Sequence, residues 1–344
     1  MLIDSNNYGY YDFQQMMMSL NCIKEKIVSS KNIIISTHSA PDGDAIGSET
    51  ALAIILKKMN KNVVIVNQDP TPLPLSFLED HAKFNYPSTA PKTEEALVII
   101  VDVNDLSKIG EQTKEYIDGI KNKDIIFISH HRTKSVENGC SYLINETASS
   151  TGEIIYSLIK EELNMDIDIK TAEAIYTAII SDTKSFRYSR TTSYSHRIAA
   201  ELIELGIDAE KIQSEVFGSN SLGQLKTLGC MLRDIELTKS GKVAYVYIPY
   251  STLNDNEVCA AHTKGFVNHL LTIKGVNIAV LFRESPDKSI KVSIRSKGIH
   301  PIEELAMDFG GGGHKFAATF SSTLPKEELV KKITSELEKL VTGK

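Results

Sequence analysis

Short apolar runs that alternate with helix-type patterns are the feature that most constrains the fold of this 344-residue chain. Four such runs are nearly continuous in apolar residues, as in strands that are buried on both faces: residues 32–36, 62–66, 96–102 and 124–129. Helix patterns lie between the runs, for example from Ala45 to Met59 and from Glu111 to Ile120. This alternation predicts an α/β fold with a parallel sheet and helices on both faces.

The pattern changes in the last third of the chain, where strand patterns follow one another directly. A strand pair that turns at Ser240 and Gly241 is followed by two further strand patterns. We therefore expect an α/β domain over residues 1–205, a linker over 206–221 and a smaller α+β domain over 222–344. The length agrees with two domains, because a single hydrophobic core rarely grows beyond about 250–300 residues.

Composition excludes several classes of protein. The net charge is −6 and the pI is near 5.9, which argues against binding duplex DNA through a broad basic face but leaves small anionic substrates open. The four cysteines form no C-x-x-C pair, so neither a zinc site nor a disulfide framework is indicated. No apolar run approaches membrane-spanning length. We expect a soluble cytoplasmic protein without membrane partners, and the sequence leaves a homodimer open.

Residues typical of metal ligands follow several of the predicted strands and one apolar helix. They are His38, Asp42, Asp44, Asp102, His130, His131 and Asp182. Ligands of open parallel sheets collect at the carboxyl ends of the strands, so these side chains should meet at one edge. Four carboxylates gathered in a partly buried site repel one another by several kcal/mol unless cations are present. Imidazole and carboxylate without thiolate favour two divalent ions of the manganese type, with magnesium as the other candidate.

Each of these residues also has an ordinary structural explanation. A single aspartate at a strand end is more often a helix N-cap or a turn residue, and Asp42-Gly43-Asp44 alone would pass as a turn before a helix. His130 alone would be a hydrogen-bonded loop histidine. The metal-site hypothesis depends on the coincidence of several strand ends, which the structural explanation does not predict.

Five motifs resemble those of the DHH phosphoesterase family. They are HSAPDGDAIGS at 38–48, VDVND at 101–105, SHH at 129–131, SDTKSFRYS at 181–189 and FGGGGHKFAATF at 309–320. Within the family, the resemblance is to the branch known as nanoRNases or pAp phosphatases. It implies a catalytic DHH domain followed by a DHH-associated substrate domain. It also implies a hydrolase that cleaves very short RNA to 5′-mononucleotides and dephosphorylates 3′-phosphoadenosine 5′-phosphate (pAp).

The resemblance supplies roles for the candidate residues. One metal ion would be held by His38, Asp42, Asp102 and Asp182, and the other by Asp44, Asp102, His130 and Asp182. Ions bridged in this way clamp the scissile phosphate and activate a shared water. Because neighbouring side chains on a strand point to opposite faces, we expect His130 to bind metal and His131 to face the phosphate. His131, Asp102 and Asp182 are accordingly the predicted catalytic residues.

One residue departs from the family pattern. The family has aspartate where this chain has Ser129, directly before His130. The resemblance implies that the family aspartate supports the metal site without binding the metal itself, so its loss need not abolish metal binding. Loss of such a supporting carboxylate typically costs about 10–100-fold in metal affinity or activity.

The predicted second domain carries the candidate substrate-binding residues. From Thr263 to Lys297 there are seven Lys or Arg residues against two acids, in a chain that is acidic overall. A glycine run lets backbone N–H groups approach an anion closely. The resemblance assigns the remote end of the substrate to Arg295, Gly311, Gly312, Gly313 and His314.

Three alternative functions remain open from the sequence. A phosphodiesterase acting on cyclic dinucleotides or their linear products would use the same metal centre. A family II pyrophosphatase agrees less well, because its second domain would lack the glycine-rich histidine motif. The third alternative is a catalytically weakened nucleotide-binding module, in which Ser129 marks the lost activity.

Overall fold

The computed structural model describes residues 18–132, 136–137, 139–188, 190–218, 220–258, 263 and 265–343, except for the side chain of His314. Cys259, one of the four cysteines, and Lys264, one of the seven basic residues between Thr263 and Lys297, lie outside this part of the chain. The chain divides into two compact units between residues 219 and 220. Within the described residues, no helix is both long and apolar enough to cross a membrane.

The first unit is built on a six-stranded parallel sheet. Its strands are β1 (Asn32–Ser36), β2 (Asn62–Val66), β3 (Phe84–Asn85), β4 (Glu95–Val101), β5 (Asn122–Ser129) and β6 (Cys140–Ile144), and their order across the sheet is β3-β2-β1-β4-β5-β6. All five neighbouring pairs are parallel. The predicted fold class is therefore confirmed. The sequence did not predict β3, which has only two residues, or β6, whose apolar residues are interrupted by Ser141.

Helices cover both faces of this sheet. They are α1 (Leu20–Ser29), α2 (Gly43–Lys58), α3 (Glu111–Asp118), α4 (Thr151–Ser157, continued by a π-helical turn over Leu158–Glu162), α5 (Ile169–Thr183), α6 (Ser193–Glu204) and α7 (Ala209–Phe217). In β1, Ile33 and Ile35 belong to one hydrophobic cluster, whereas Ile34 between them belongs to another. Burial on both faces thus explains why the strands are continuously apolar.

Glycines bring α2 close to α5. A Cβ on Gly47 would lie 2.4 Å from the carbonyl oxygen of Ala174, and a Cβ on Gly43 would overlap the side chain of Ser181. Only glycine permits so close an approach of the two helices. The packing places the start of α2, with Asp42 and Asp44, against the end of α5.

The second unit contains a mixed six-stranded sheet and five helices among its described residues. Its elements are α8 (Leu222–Arg233), β7 (Glu236–Leu237), β8 (Val243–Ile248), α9 (Tyr250–Asp255), α10 (Val267–Leu271), β9 (Ile278–Glu284), β10 (Ile290–Ser296), α11 (Glu303–Asp308), β11 (Gly312–His314), β12 (Ala317–Ser322) and α12 (Lys326–Thr342). The strand order is β11-β12-β10-β9-β8-β7, and only β8 and β9 are parallel. The α12 residues Leu329, Ile333 and Leu337 pack against the sheet. The α+β prediction for this region is confirmed.

Candidate active site

The predicted metal ligands converge at the carboxyl edge of the parallel sheet. Three groups of side chains place their ligand atoms within 4.8 Å of one another: Asp102, His130 and His131; His38, Asp42 and Asp102; and Asp44, His130 and Asp182. The structure thus brings together all six predicted metal ligands and His131. These groups overlap, because Asp102 and His130 each belong to two of them.

Asp102 lies at the centre of the cluster. It follows the last residue of β4 and has a φ angle of +59°, in the left-handed region that aspartate tolerates better than most residues. Its Oδ1 accepts a hydrogen bond from Thr151 Oγ1 at 3.0 Å and lies 3.3 Å from His131 Nε2, while its Oδ2 lies 3.6 Å from His38 Nε2. Burial alone would raise the pKa of Asp102, but hydrogen bonding to His131 and His38 holds it below its usual range.

The contact with Asp102 raises the pKa of His38, whereas it lowers the pKa of Asp102. Its Nδ1 lies 2.8 Å from the Ser39 carbonyl oxygen, which leaves Nε2 directed toward Asp102. Burial opposes protonation of the ring, yet hydrogen bonds to Asp102 and Ser39 raise the pKa of His38 to about 9. His38 and Asp102 therefore attract each other as an ion pair, with Nε2 and Oδ2 3.6 Å apart.

Asp42 and Asp44 are positioned by helix N-termini. Asp42 is the N-cap of α2, and its Oδ1 accepts hydrogen bonds from the N–H groups of Asp44 and Ala45. Asp44 is fully buried, and its carboxylate accepts from Thr151 N at 2.7 Å and Gly152 N at 2.9 Å, at the start of α4. Burial and repulsion by the other aspartates still raise the pKa of Asp44 well above its usual value. Asp42 caps α2 through Oδ1 alone, so its N-cap role is compatible with a role as a metal ligand.

Asp182 is placed where a carboxylate is unfavourable. It is the penultimate residue of α5, next to the helix C-terminus and its partial negative charge. Burial and repulsion by Asp102 and Asp42 raise the pKa of Asp182 to about 6. A bound cation would offset this cost.

His130 presents a buried nitrogen to three carboxylates. Its Nε2 makes no hydrogen bond within the described residues and lies 3.3 Å from Asp182 Oδ2, 3.6 Å from Asp44 Oδ2 and 3.6 Å from Asp102 Oδ1. Burial lowers the pKa of His130 to about 4, so the ring is neutral at physiological pH, as a metal ligand must be.

The prediction that His130 and His131 point to opposite faces is wrong. Their ring centroids are 4.4 Å apart, and the Nε2 atoms of both rings face Asp102 Oδ1. The physical reason is that β5 ends at Ser129, so the alternation of a strand does not extend to the two histidines. Their environments nevertheless differ, because the side chain of His130 is fully buried and that of His131 is 43% exposed.

Ser129 contacts the neighbouring backbone instead of the His130 ring. Its Oγ accepts a hydrogen bond from the N–H of His131 at 3.1 Å, and the residue is fully buried. The Nδ1 atom of His130 instead lies 3.4 Å from the Ala148 carbonyl oxygen and 2.8 Å from Arg190 Nη1. Within the described structure, Ser129 therefore makes no hydrogen bond to the His130 ring.

Two residues that contact the cluster were not predicted from the sequence. Thr151 binds Asp44 through its N–H and Asp102 through its hydroxyl, so it joins two predicted ligands. The run SSTG at 149–152 is typical of a helix N-terminus, which binds anions, and could have indicated this role. Arg190, which donates to His130, has no comparable local signal.

In the second unit, backbone register relates two of the substrate-binding candidates. Arg295 on β10 and His314 on β11 both pair with Ala317 on β12, which lies between those strands. The Arg295 guanidinium also donates to the Ile294 carbonyl oxygen at 2.9 Å. Arg295 and His314 therefore occupy the same register position, on the two strands that flank β12.

The three glycine candidates differ from one another. Packing requires Gly311 and Gly313, because a Cβ on either would lie 2.3 Å from a carbonyl oxygen of β12. The N–H of Gly311 already donates to the Ala306 carbonyl oxygen, so it is not available to an anion. No atom of the described structure lies within 4 Å of a Cβ built on Gly312, which leaves room for a ligand there.

The fold and the clustered ligands define a two-unit phosphoesterase. Residues 32–179 match the DHH family N-terminal domain, and residues 240–343 match the DHHA1 domain. The chain belongs to the DHH family, and it is a hydrolase of phosphodiester and phosphate bonds.

Relatives with similar sequences carry more specific names. The bifunctional oligoribonuclease and PAP phosphatase NrnA of Bacillus subtilis is 32% identical over 292 residues, which cover 83% of this chain and 88% of that protein. The protein of the same name from Thermus thermophilus is 28% identical over 287 residues, 83% of this chain and 82% of the relative. The crystal structure of an exopolyphosphatase-related protein from Bacteroides fragilis matches 93% of this chain and 95% of its own, with a TM-score of 0.84 and 27% identity.

Proposed function

We propose that the chain is a manganese-dependent phosphoesterase that hydrolyses short oligoribonucleotides to 5′-mononucleotides and dephosphorylates pAp. The observation that carries the proposal is the buried Nε2 of His130, which has no hydrogen-bond partner in the described structure and faces three carboxylates. Buried polar atoms are almost always paired, so an unpaired nitrogen beside three carboxylates supports a cation-binding role for this group. The relatives named as oligoribonuclease and PAP phosphatase supply the substrate class.

The donor set fits two divalent ions. His38, Asp42, Asp102 and Asp182 would hold one ion, and Asp44, Asp102, His130 and Asp182 the other. All donors are imidazole nitrogen or carboxylate oxygen, which favours manganese. When bound, two such ions polarise the phosphate ester and lower the pKa of a water nucleophile.

Coordination by His130 also specifies the position of its ring proton. A ligand lone pair on Nε2 requires the proton on Nδ1, where the Ala148 carbonyl oxygen can accept it at 3.4 Å. The Arg190 guanidinium has no acceptor, so it cannot remain bonded to Nδ1 in that state. The metal-bound centre would therefore release Arg190, a cation that could then contact an anionic substrate.

His131 is the proposed proton donor to the leaving oxygen. Its side chain is 43% exposed, so a substrate can reach it, and its Nε2 lies 3.3 Å from Asp102 Oδ1. The hydrogen bond from the His131 N–H to Ser129 Oγ fixes the backbone of this residue. A histidine held in this way can stabilise charge on the phosphate or protonate the leaving group.

Arg295, Gly312 and His314 are proposed to bind the part of the substrate remote from the scissile bond. The shared register position of Arg295 and His314, which both pair with Ala317, supports this role. An anionic end group would gain charge-assisted hydrogen bonds from Arg295.

A substrate panel tests the function. The metal-free protein is supplied with Mn²⁺ and given pAp, a diribonucleotide, a cyclic dinucleotide and pyrophosphate, and phosphate or mononucleotide release is measured. Turnover of pAp and of the diribonucleotide above that of the other two supports the proposal. Preference for the cyclic dinucleotide or pyrophosphate identifies the corresponding alternative, and binding without turnover identifies the weakened module.

A matched pair of variants separates the proposed centre from general effects of charge. Asp182→Asn should lose turnover, whereas Asp124→Asn should keep it, because Asp124 lies on β5 with a 63% exposed side chain that contacts Lys26. Equal activity of the two variants would contradict the assigned site.

A further inference from the structure

A second pocket of the first unit lies outside the cluster of metal-ligand candidates. It has a volume of about 420 Å³ and is formed at the carboxyl ends of β2 and β3. Residues from the loop after β2, from the end of the 3₁₀ helix Leu73–Asp80 and from β3 line it. We refer to it as the β2–β3 pocket.

Two buried polar atoms on the lining residues have no hydrogen-bond partner in the described structure. Asn67 is 3% exposed; its Nδ2 donates to Glu49 at 2.8 Å, but its Oδ1 is unpaired. The hydroxyl of Thr71 is unpaired as well. Both atoms are covered, and the Thr71 hydroxyl can turn toward the pocket without breaking a hydrogen bond, whereas the Asn67 amide is held by its bond to Glu49. Most buried polar groups are paired in folded proteins, so these two unpaired atoms are available as hydrogen-bonding partners for a ligand of the pocket.

The charges and rings of the pocket select the chemistry of that ligand. Asp69, Glu79 and Lys83 give the lining a net charge of −1, which disfavours a phosphate. Phe84 and the exposed Tyr86 supply aromatic surface of the kind on which nucleobases stack. An uncharged planar heterocycle with hydrogen-bonding edges fits this combination, and the volume accommodates a base together with its ribose.

The pocket adjoins the loop that carries two metal-ligand candidates. Asp69 Oδ2 accepts a hydrogen bond at 2.7 Å from the N–H of Ala40, which lies between His38 and Asp42. The strands beneath are also neighbours, because β1 pairs with β2 in parallel. A ligand in the β2–β3 pocket would therefore lie beside the β1 loop of the candidate active site.

We propose that the β2–β3 pocket is a nucleoside subsite for one nucleoside of a short oligonucleotide substrate. This inference rests on the proposed function, because it assumes that the substrate is a nucleotide. It adds a base-binding site on the first unit, separate from the residues of the second unit to which substrate binding was assigned.

Direct binding is the first test, since it requires no turnover. Adenosine and uridine are titrated into the full-length metal-free protein and followed by calorimetry or by NMR of the nucleoside. Tyr86→Ala should weaken binding about tenfold through lost stacking, whereas Tyr86→Phe should retain it. Thr71→Val should weaken binding by about three- to tenfold, the usual effect of one neutral hydrogen bond.

Thr227→Val is the matched control for Thr71→Val. The Thr227 hydroxyl is also buried and unpaired, but it lies on α8 of the second unit. The two replacements are chemically identical, and neither removes a hydrogen bond of the described structure. Only Thr71→Val should change nucleoside binding, and the unfolding temperature of each variant shows that the fold is retained.

Kinetics form the second test and separate this inference from the proposed function. For a diribonucleotide, Tyr86→Ala should raise KM about tenfold and leave kcat nearly unchanged, because the subsite binds ground state and transition state alike. For p-nitrophenyl phosphate, which carries no nucleoside, neither parameter should change. If the wild type hydrolyses no nucleotide, the proposed function fails, while the binding experiment still decides whether the pocket accepts nucleosides.

Two results would overturn the subsite. One is wild-type protein that binds neither adenosine nor uridine at millimolar concentration. The other is a diribonucleotide KM that stays the same in Tyr86→Ala and Thr71→Val, which would show that the substrate does not occupy the pocket.

Discussion

Replacing Asp182 by asparagine should stabilise the metal-free protein while it destroys the metal centre. The carboxylate lies beside the C-terminus of α5, and burial together with repulsion by Asp102 and Asp42 raises its pKa from the usual 3.8 to about 6. At about 1.4 kcal/mol per pKa unit, ionised Asp182 costs the folded protein on the order of 3 kcal/mol. Asparagine keeps the shape of the side chain and removes this cost.

The sign of the effect depends on pH. A raised pKa in the folded state means that the associated stability is fully present below pH 3.8 and is lost as the pH rises through about 6. The gain from Asp182→Asn should therefore appear at pH 8 and vanish below pH 4. For a unit of this size, about 3 kcal/mol corresponds to a rise of roughly 6–12 °C in unfolding temperature at pH 8.

With manganese, the wild type should have a higher unfolding temperature than Asp182→Asn, the reverse of the order without metal. A ligand that binds only the folded state stabilises it by mass action, so saturating Mn²⁺ should raise the unfolding temperature of the wild type. Asp182→Asn loses a ligand that is proposed to bridge both ions. Its metal affinity should fall by at least about 100-fold, because losing even a residue that only supports a ligand can cost that much. The assay is thermal unfolding at pH 8 with and without Mn²⁺, with diribonucleotide turnover measured in parallel.

The reasoning fails if Asp182→Asn unfolds at a lower temperature than the wild type in metal-free buffer at pH 8. It also fails if the variant keeps the full manganese-induced shift and wild-type turnover. Asp124→Asn serves as the control, because its exposed carboxylate should change none of these quantities by a comparable amount.

Three further predictions concern other residues. Burial raises the pKa of Glu49 to about 8, so unfolding releases its proton between pH 5 and pH 8. Glu49→Gln should therefore stabilise the protein by on the order of 3 kcal/mol more at pH 8 than at pH 5, which thermal unfolding across pH measures. Ser129→Asp should lower the metal-free unfolding temperature at pH 8, because it buries another carboxylate. It should tighten Mn²⁺ binding by about tenfold, because it adds a negative charge directly before His130 and His131; unchanged affinity in a titration would refute this. Arg295→Ala and His314→Ala should reduce kcat/KM for diribonucleotides far more than for p-nitrophenyl phosphate, and equal losses would exclude a role in binding the remote end of the substrate.

The sequence predicted the parallel sheet and the residues of the candidate site for the same physical reason. Continuous apolar runs are needed only where strands are covered on both faces, and the carboxyl ends of such strands meet at one edge. Asp102, His130 and His38 therefore lie together although they are far apart in the chain.

Features that depend on single backbone angles or on strand ends could not be predicted. The two histidines share a side because β5 ends one residue before them, and no pattern in the sequence fixes that residue. Asp102 reaches the cluster through a left-handed φ angle, which its residue type permits but does not require. The β2–β3 pocket depends on β3, whose two residues are too few to show an alternating pattern.

The number of manganese ions bound per chain tests the central claim most directly. Metal-free wild-type protein is titrated with Mn²⁺, free Mn²⁺ is followed by electron paramagnetic resonance, and diribonucleotide hydrolysis is measured at each point. We predict two tightly bound ions per chain and turnover that rises as the sites fill, with both lost in Asp102→Asn, which preserves the left-handed conformation. Full turnover in the presence of excess chelator, or wild-type binding in Asp102→Asn, would contradict the account.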